Sequence, residues 1–108
     1  MERTFIIIKP DAVKRGLFGK IMGTFEDRGF KILKVDMEYA KKETIEEHYK
    51  HLSAVPVFAQ IVGGMLDGPL IKVVLEGKNA VSVVKTMVGA TDPSKADLGS
   101  IRGKYAVD

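Results

Sequence analysis

The chain has 108 residues, 45% apolar and 29% charged, which is the make-up of one folded domain and excludes a disordered chain. It contains no cysteine, so disulfides, thiolate nucleophiles and cysteine-bound metals are excluded. Its 17 basic and 14 acidic residues leave a formal charge of +3, which suits an anionic ligand without demanding nucleic acid. No apolar run approaches the roughly 20 residues of a membrane span. Charged Glu2 and Arg3 follow Met1, and the apolar run Phe5–Ile8 stops at Lys9, so no signal peptide is read and a cytoplasmic location is expected.

In chain order, Thr4-Phe5-Ile6-Ile7-Ile8 is short, apolar and β-branched, and reads as a central strand buried on both faces. Pro10 stops it, because proline has no N–H and restrains Lys9 to an extended conformation. Lys9 therefore stands at a strand end. Leu17, Ile21 and Phe25, with Phe18 and Met22, give the stripe of a helix that Gly29 ends. Phe30 to Tyr39 reads as a second strand, with Leu33, Val35, Met37 and Tyr39 alternating against Lys34, Asp36 and Glu38. Phe30 and Ile32 are out of phase with that set, which predicts a bulge near Ile32-Leu33.

Thr44 and Glu47 have the spacing of a capping box for a short helix lined by Ile45, Tyr49 and Leu52. Pro56 opens a further helix with Phe58, Ile61, Val62, Met65 and Leu66 on one face. Asp67-Gly68-Pro69 is turn chemistry. Leu70–Leu75 is a third strand. Asn79 caps a helix whose stripe is Ala80, Val83, Val84, Met87 and Val88, and Gly89 ends it. Residues 101–107 show no clear period. The order points to an α+β, ferredoxin-like βαββαβ sandwich on an antiparallel sheet, one domain over residues 1–108. Such a sheet has a fourth strand, which this chain does not supply, so the sequence reads as incomplete at its C-terminal side.

Standard phosphate loops are missing. Gly16-Leu17-Phe18-Gly19-Lys20 has the wrong spacing for a P-loop, and no G-x-G-x-x-G is present. His48 and His51 are three apart on one helix, half a metal site at most, and a partly exposed helix face is the plainer reading. Gly16-x-x-Gly19 among Lys14, Arg15 and Lys20 resembles a KH loop faintly. Arg28-Gly29-Phe30 begins like an RRM motif and then fails at Lys31. Aromatic residues are 7% with no Trp, so base-stacking platforms are scarce and nucleic acid is not an expected partner.

A different set of short sequences is specific. It comprises Phe5-Ile6-Ile7-Ile8-Lys9-Pro10-Asp11-Ala12-Val13, Arg15-Gly16-Leu17, Phe25, Gly29-Phe30-Lys31-Ile32, His48-Tyr49 and Gly68-Pro69. To these add Glu76-Gly77-x-Asn79-Ala80-Val81, Gly89-Ala90-Thr91-Asp92-Pro93 and Ile101-Arg102-Gly103. Together, and in this order over essentially the whole chain, they resemble the nucleoside diphosphate kinases. The resemblance implies transfer of a γ-phosphate from a nucleoside triphosphate to a nucleoside diphosphate, by a ping-pong route through a phosphohistidine. It also implies Mg²⁺ carried on the nucleotide and a homo-oligomer, tetramer or hexamer.

Residue by residue, the resemblance makes Lys9 the phosphate-site lysine and Arg102 the phosphate-contacting arginine, whose fork bonds oxygens in pairs. It makes Thr91 the site threonine and Tyr49 the tyrosine beside the reacting phosphate. Two positions depart from the pattern. Lys85 stands where the family has arginine, keeping the charge and losing the fork. Val57 stands where the family has the phenylalanine that stacks on the base. The family's catalytic histidine lies in an Asn-x-x-His segment downstream of Ile101-Arg102-Gly103, which places it beyond Asp108, and neither His48 nor His51 matches it. The alternatives are a truncated, non-catalytic relative that binds nucleotide or assembles, and an RNA-binding module of the same topology.

Overall fold

A computed structural model describes residues 1–89 and 99–105. The turn at residues 90–93 and the alternating Tyr105-Ala106-Val107, beyond Tyr105 itself, lie outside the described residues. The elements are β1 (Glu2–Ile8), α1 (Pro10–Lys14), α2 (Phe18–Asp27), β2 (Lys31–Glu38), α3 (Lys42–His48), α4 (Phe58–Leu66), β3 (Leu70–Gly77), α5 (Ala80–Val88) and α6 (Ile101–Tyr105), with a 3-10 turn at Lys50–Leu52. The sheet order is β1-β3-β2, and both pairings are antiparallel. This is the split βαβ arrangement read from the order of elements.

Residues directly opposite in an antiparallel pair share a face. The pairs Ile6↔Val73, Ile8↔Ile71 and Thr4↔Leu75 therefore put one set of side chains under the helices. Ile21, Met22 and Phe25 of α2 and Ala80 and Val84 of α5 close over Ile8, Ile71, Val73 and Leu75 to form the main core. A second cluster, Ile45, Val62, Met65 and Leu70, holds α3 and α4 together at the start of β3.

The structure corrects several expectations. β1 is not buried on both faces: Phe5 (54% exposed) and Ile7 (40%) point away from the helices, and among the described strands β1 lies at an edge. The central one of the described strands is β3, in which Val73 and Leu75 are fully buried. Pro10 does more than stop a strand: it sits in the first turn of α1, where its missing N–H costs nothing. The proposed capping box at Thr44 and Glu47 falls inside α3, whose N-cap is Lys41 with no side-chain hydrogen bond. Pro56 lies in the turn ahead of α4, and Val57 takes the N-cap position. Asn79 is the N-cap of α5 by position, in a left-handed conformation (φ 55°), without a side-chain bond. The Glu2 carboxylate serves that end instead, accepting from the Val81 N–H at 3.1 Å. Residues 101–105, aperiodic in sequence, form α6.

Other expectations hold. The register slips between Ile32 and Lys34, which is the bulge. The alternating set of β2 is present but open to solvent, from Leu33 (37% exposed) through Val35 to Met37, and the strand ends at Glu38, one residue short of Tyr39 (75% exposed). Val35 and Met37 pair with Val73 and Ile71 and so share the core face, yet the main helical cover stops short of them. Cross-strand ion pairs, Arg3–Glu76 at 3.0 Å and Lys72–Glu38, lie on the opposite face. Exposed pairs of this kind contribute only about 0–1 kcal/mol each.

Gly77 is buried at the end of β3, and a Cβ there would overlap the ring of Phe30. Gly77→Ala is expected to destabilise the fold by about 1–3 kcal/mol through this overlap. A lowered urea midpoint with unchanged slope is the expected result.

Candidate functional site

The candidate residues that are described lie toward one end of the sheet for topological reasons. Gly77 pairs with Glu2 and Ile71 with Ile8. α5 sets out from the Glu2 end, where the Glu2 carboxylate meets its first turn, and packs along β1. It therefore runs toward the end at which Ile8 passes to Lys9. The α3–α4 hairpin is inserted between Glu38 and Leu70, which pair with each other at that same end. α1 fastens the hairpin: the Lys14 ammonium donates to the Asp67 carboxylate at 2.5 Å, and Gly68 packs against Pro10 and Lys14.

Lys9 is the N-cap of α1, extended (φ −71°, ψ 159°), with an exposed side chain. The dihedrals agree with the restriction expected from the proline that follows. Tyr49 ends α3 half-buried, packed on the second cluster, with its ring edge-on to His48 at 4.8 Å between centroids. Val57 is 40% exposed at the start of α4, while Phe58 turns into the second cluster. Lys85 lies exposed in the last turn of α5. Arg102 is half-buried in α6, and its Nη1 donates to the Gly89 carbonyl at 3.0 Å. Thr91 lies outside the described residues.

The cations differ in how they are used. Arg3, Lys14, Arg15, Lys34 and Lys72 each meet a carboxylate. Among the described residues Lys9 and Lys85 meet none, like other exposed cations such as Lys20 and Lys78, and Arg102 meets a neutral carbonyl. A carbonyl orients a guanidinium without cancelling its charge, so the charge stays available to an anion. Among the described residues no group of three or more His, Cys, Asp or Glu converges as a metal site. The cationic donors at this end suit an anion.

Two features escaped sequence reasoning. One is the Gly89 carbonyl as the anchor of Arg102, a contact between residues 13 apart with no sequence signature. The other is Ser100, which is buried and whose Oγ accepts from the Gly103 N–H at 3.1 Å, capping α6. A serine three residues ahead of that amide is a readable N-cap signal. Ser100→Ala is expected to weaken α6 by about 1 kcal/mol. Faster hydrogen exchange at the Gly103 amide is the expected sign, with the exchange of β3 unchanged.

Comparison with known proteins identifies relatives over the whole described fold. The family model described as "Nucleoside diphosphate kinase" matches residues 2–108. A nucleoside diphosphate kinase of Pelotomaculum thermopropionicum is 48% identical over 108 residues, covering 100% of this chain and 72% of that protein. One from Drosophila melanogaster is 46% identical over 106 residues, covering 98% of this chain and 69% of that protein. The apo crystal structure of the Encephalitozoon cuniculi enzyme superimposes with a TM-score of 0.91 at 44% identity, over 100% of this chain and 74% of that one. The halophilic enzyme of Halobacterium salinarum, in complex with CDP, also gives 0.91, at 38% identity over 99% of this chain and 70% of that one.

Proposed function

The chain belongs to the nucleoside diphosphate kinase family, and we propose how its own residues serve the family's reaction. That reaction passes the γ-phosphate of a nucleoside triphosphate to a nucleoside diphosphate by a ping-pong route through a phosphohistidine. Neither a non-catalytic relative nor an RNA-binding module is favoured by a family match over residues 2–108. The observation that carries the residue assignment is Arg102 anchored on a neutral carbonyl, at the end of the sheet where Lys9 and Lys85 stand exposed and meet no carboxylate among the described residues.

Phosphoryl transfer needs positioning and charge stabilisation more than covalent chemistry from the protein. Lys9 and Arg102 donate to phosphate oxygens and hold the polyphosphate while negative charge spreads over the transferring group. Lys85 adds a point charge, with a looser grip than a guanidinium fork. The Thr91 hydroxyl donates to a phosphate oxygen, Tyr49 stands beside the reacting phosphate, and Val57 covers one face of the base. The nucleophile is assigned to none of these 108 residues. His48 is exposed at the end of α3 and His51 is exposed in the 3-10 turn, and neither matches the family's histidine. Mg²⁺, when bound with the nucleotide, neutralises part of the phosphate charge.

The ligands are nucleoside di- and triphosphates, the class to which the CDP of the halophilic relative belongs. No helix among the described residues is long and apolar enough to cross a membrane. A cytoplasmic location suits a chain that acts on nucleotides. A homo-oligomer is supported by the exposed apolar residues Leu33, Val35 and Met37 of β2, an edge among the described strands, with Tyr39 just past its end; a tetramer or hexamer is the size the family resemblance implies.

Lys9→Ala and Arg102→Ala are each expected to weaken Mg-ADP binding by about 1.5–3 kcal/mol, the range for hydrogen bonds to charged groups. Titration calorimetry that finds both affinities unchanged would remove the assigned site. Val57→Phe is expected to tighten binding by about 1–3 kcal/mol by restoring base stacking. An unaltered constant would mean that Val57 faces away from the base.

A further inference from the structure

We propose that Gly89 is a positioning residue of the phosphate site, holding Arg102 in register with Lys85 through its two backbone groups. The inference rests on the assignment of Arg102 to the phosphate site. Gly89 donates its N–H to the Lys85 carbonyl at 3.1 Å, closing α5 at the turn that carries the Lys85 side chain. Its own carbonyl accepts from Arg102 Nη1 at 3.0 Å. One residue thus joins the backbone of one assigned cation to the side chain of the other, across two helices.

The backbone at Gly89 is what aims that carbonyl. Its φ of 93° and ψ of −179° lie in a region open essentially to glycine alone. An L side chain at this position drives the backbone to negative φ and swings the peptide plane, so the carbonyl leaves the guanidinium. The consequence for Arg102 is conformational rather than electrostatic. Its charge is the same with or without the contact, since the partner is neutral. What the contact removes is rotamer freedom in a long side chain, which would otherwise be lost when nucleotide binds. Only one of its N–H groups is committed to this carbonyl, and the guanidinium has others with which to meet phosphate oxygens.

The test is a double-mutant cycle on Mg-ADP affinity with Gly89→Ala, Arg102→Ala and the two combined. Gly89→Ala is expected to weaken binding by about tenfold alone and to have no further effect once Arg102 is alanine. The same loss in both backgrounds would overturn the proposal, because Gly89 would then act on the site by some route other than Arg102. No loss in either background would overturn it as well. Arg102→Ala without effect would instead remove the phosphate-site assignment, and this inference with it. A second measurement needs no change at Gly89. In the unsubstituted protein, a guanidinium held on a carbonyl gives resolved ¹⁵N–¹H Nη signals, assigned to Arg102 by their loss in Arg102→Lys. Averaged Nη signals from free rotation would overturn the proposal even if Gly89→Ala fails to fold.

Discussion

β3 is the only described strand with a paired neighbour on each side, and its inward side chains Val73 and Leu75 are fully sealed from solvent. Everything else is placed by reference to it. Its register with β1 sets where Lys9 leaves the sheet, and its register with β2 sets where the α3–α4 hairpin departs and returns. Burying those side chains under α2 and α5 is the main apolar gain of the fold. The two helices have little choice of position once Ile71, Val73 and Leu75 present one face.

The site is assembled by different means. Its parts come from a strand end, a helical hairpin, the last turn of α5 and the short α6, none of which belongs wholly to the main core. Small polar and backbone contacts fasten them: Lys14 to Asp67, Arg102 to the Gly89 carbonyl, and Ser100 to the Gly103 amide. Each contributes little alone. Their effect is geometric. Of the three, the Gly89 carbonyl holds a cation in place without neutralising it, which suits a ligand that brings several negative charges and must be released after each half-reaction.

How much of this was legible in the sequence varies with the physical signal. The strands and long helices follow from apolar period, and the bulge at Ile32–Lys34 follows from a change of phase. The face that β1 buries was not legible. Phe5-Ile6-Ile7-Ile8 has no alternation, so the run declares a strand and is silent about which side is covered. α6 has five residues, too few to show a period, although Ser100 could have marked its start. Thr44 and Glu47 carry capping-box spacing, but Lys41 and Lys42 adopt the helix start first. Lys9 and Arg102 were singled out by resemblance, and spacing alone left Lys9 as a solvated strand end. The Gly89–Arg102 contact depends on one pair of backbone angles, which no residue pattern encodes.

The pairing of β1 with β3 also orders events during synthesis. Ile8 must wait for Ile71, and Glu2 for Gly77. At about 5–20 residues per second, that delay is roughly 3–15 s on a translating ribosome. Through that interval β1 has no β3 to zip against, while α2, built from local contacts, is free to form within microseconds. β1 is thus made well before the partner that secures it, and the β1–β3 ladder closes only after the chain has been synthesised through Gly77.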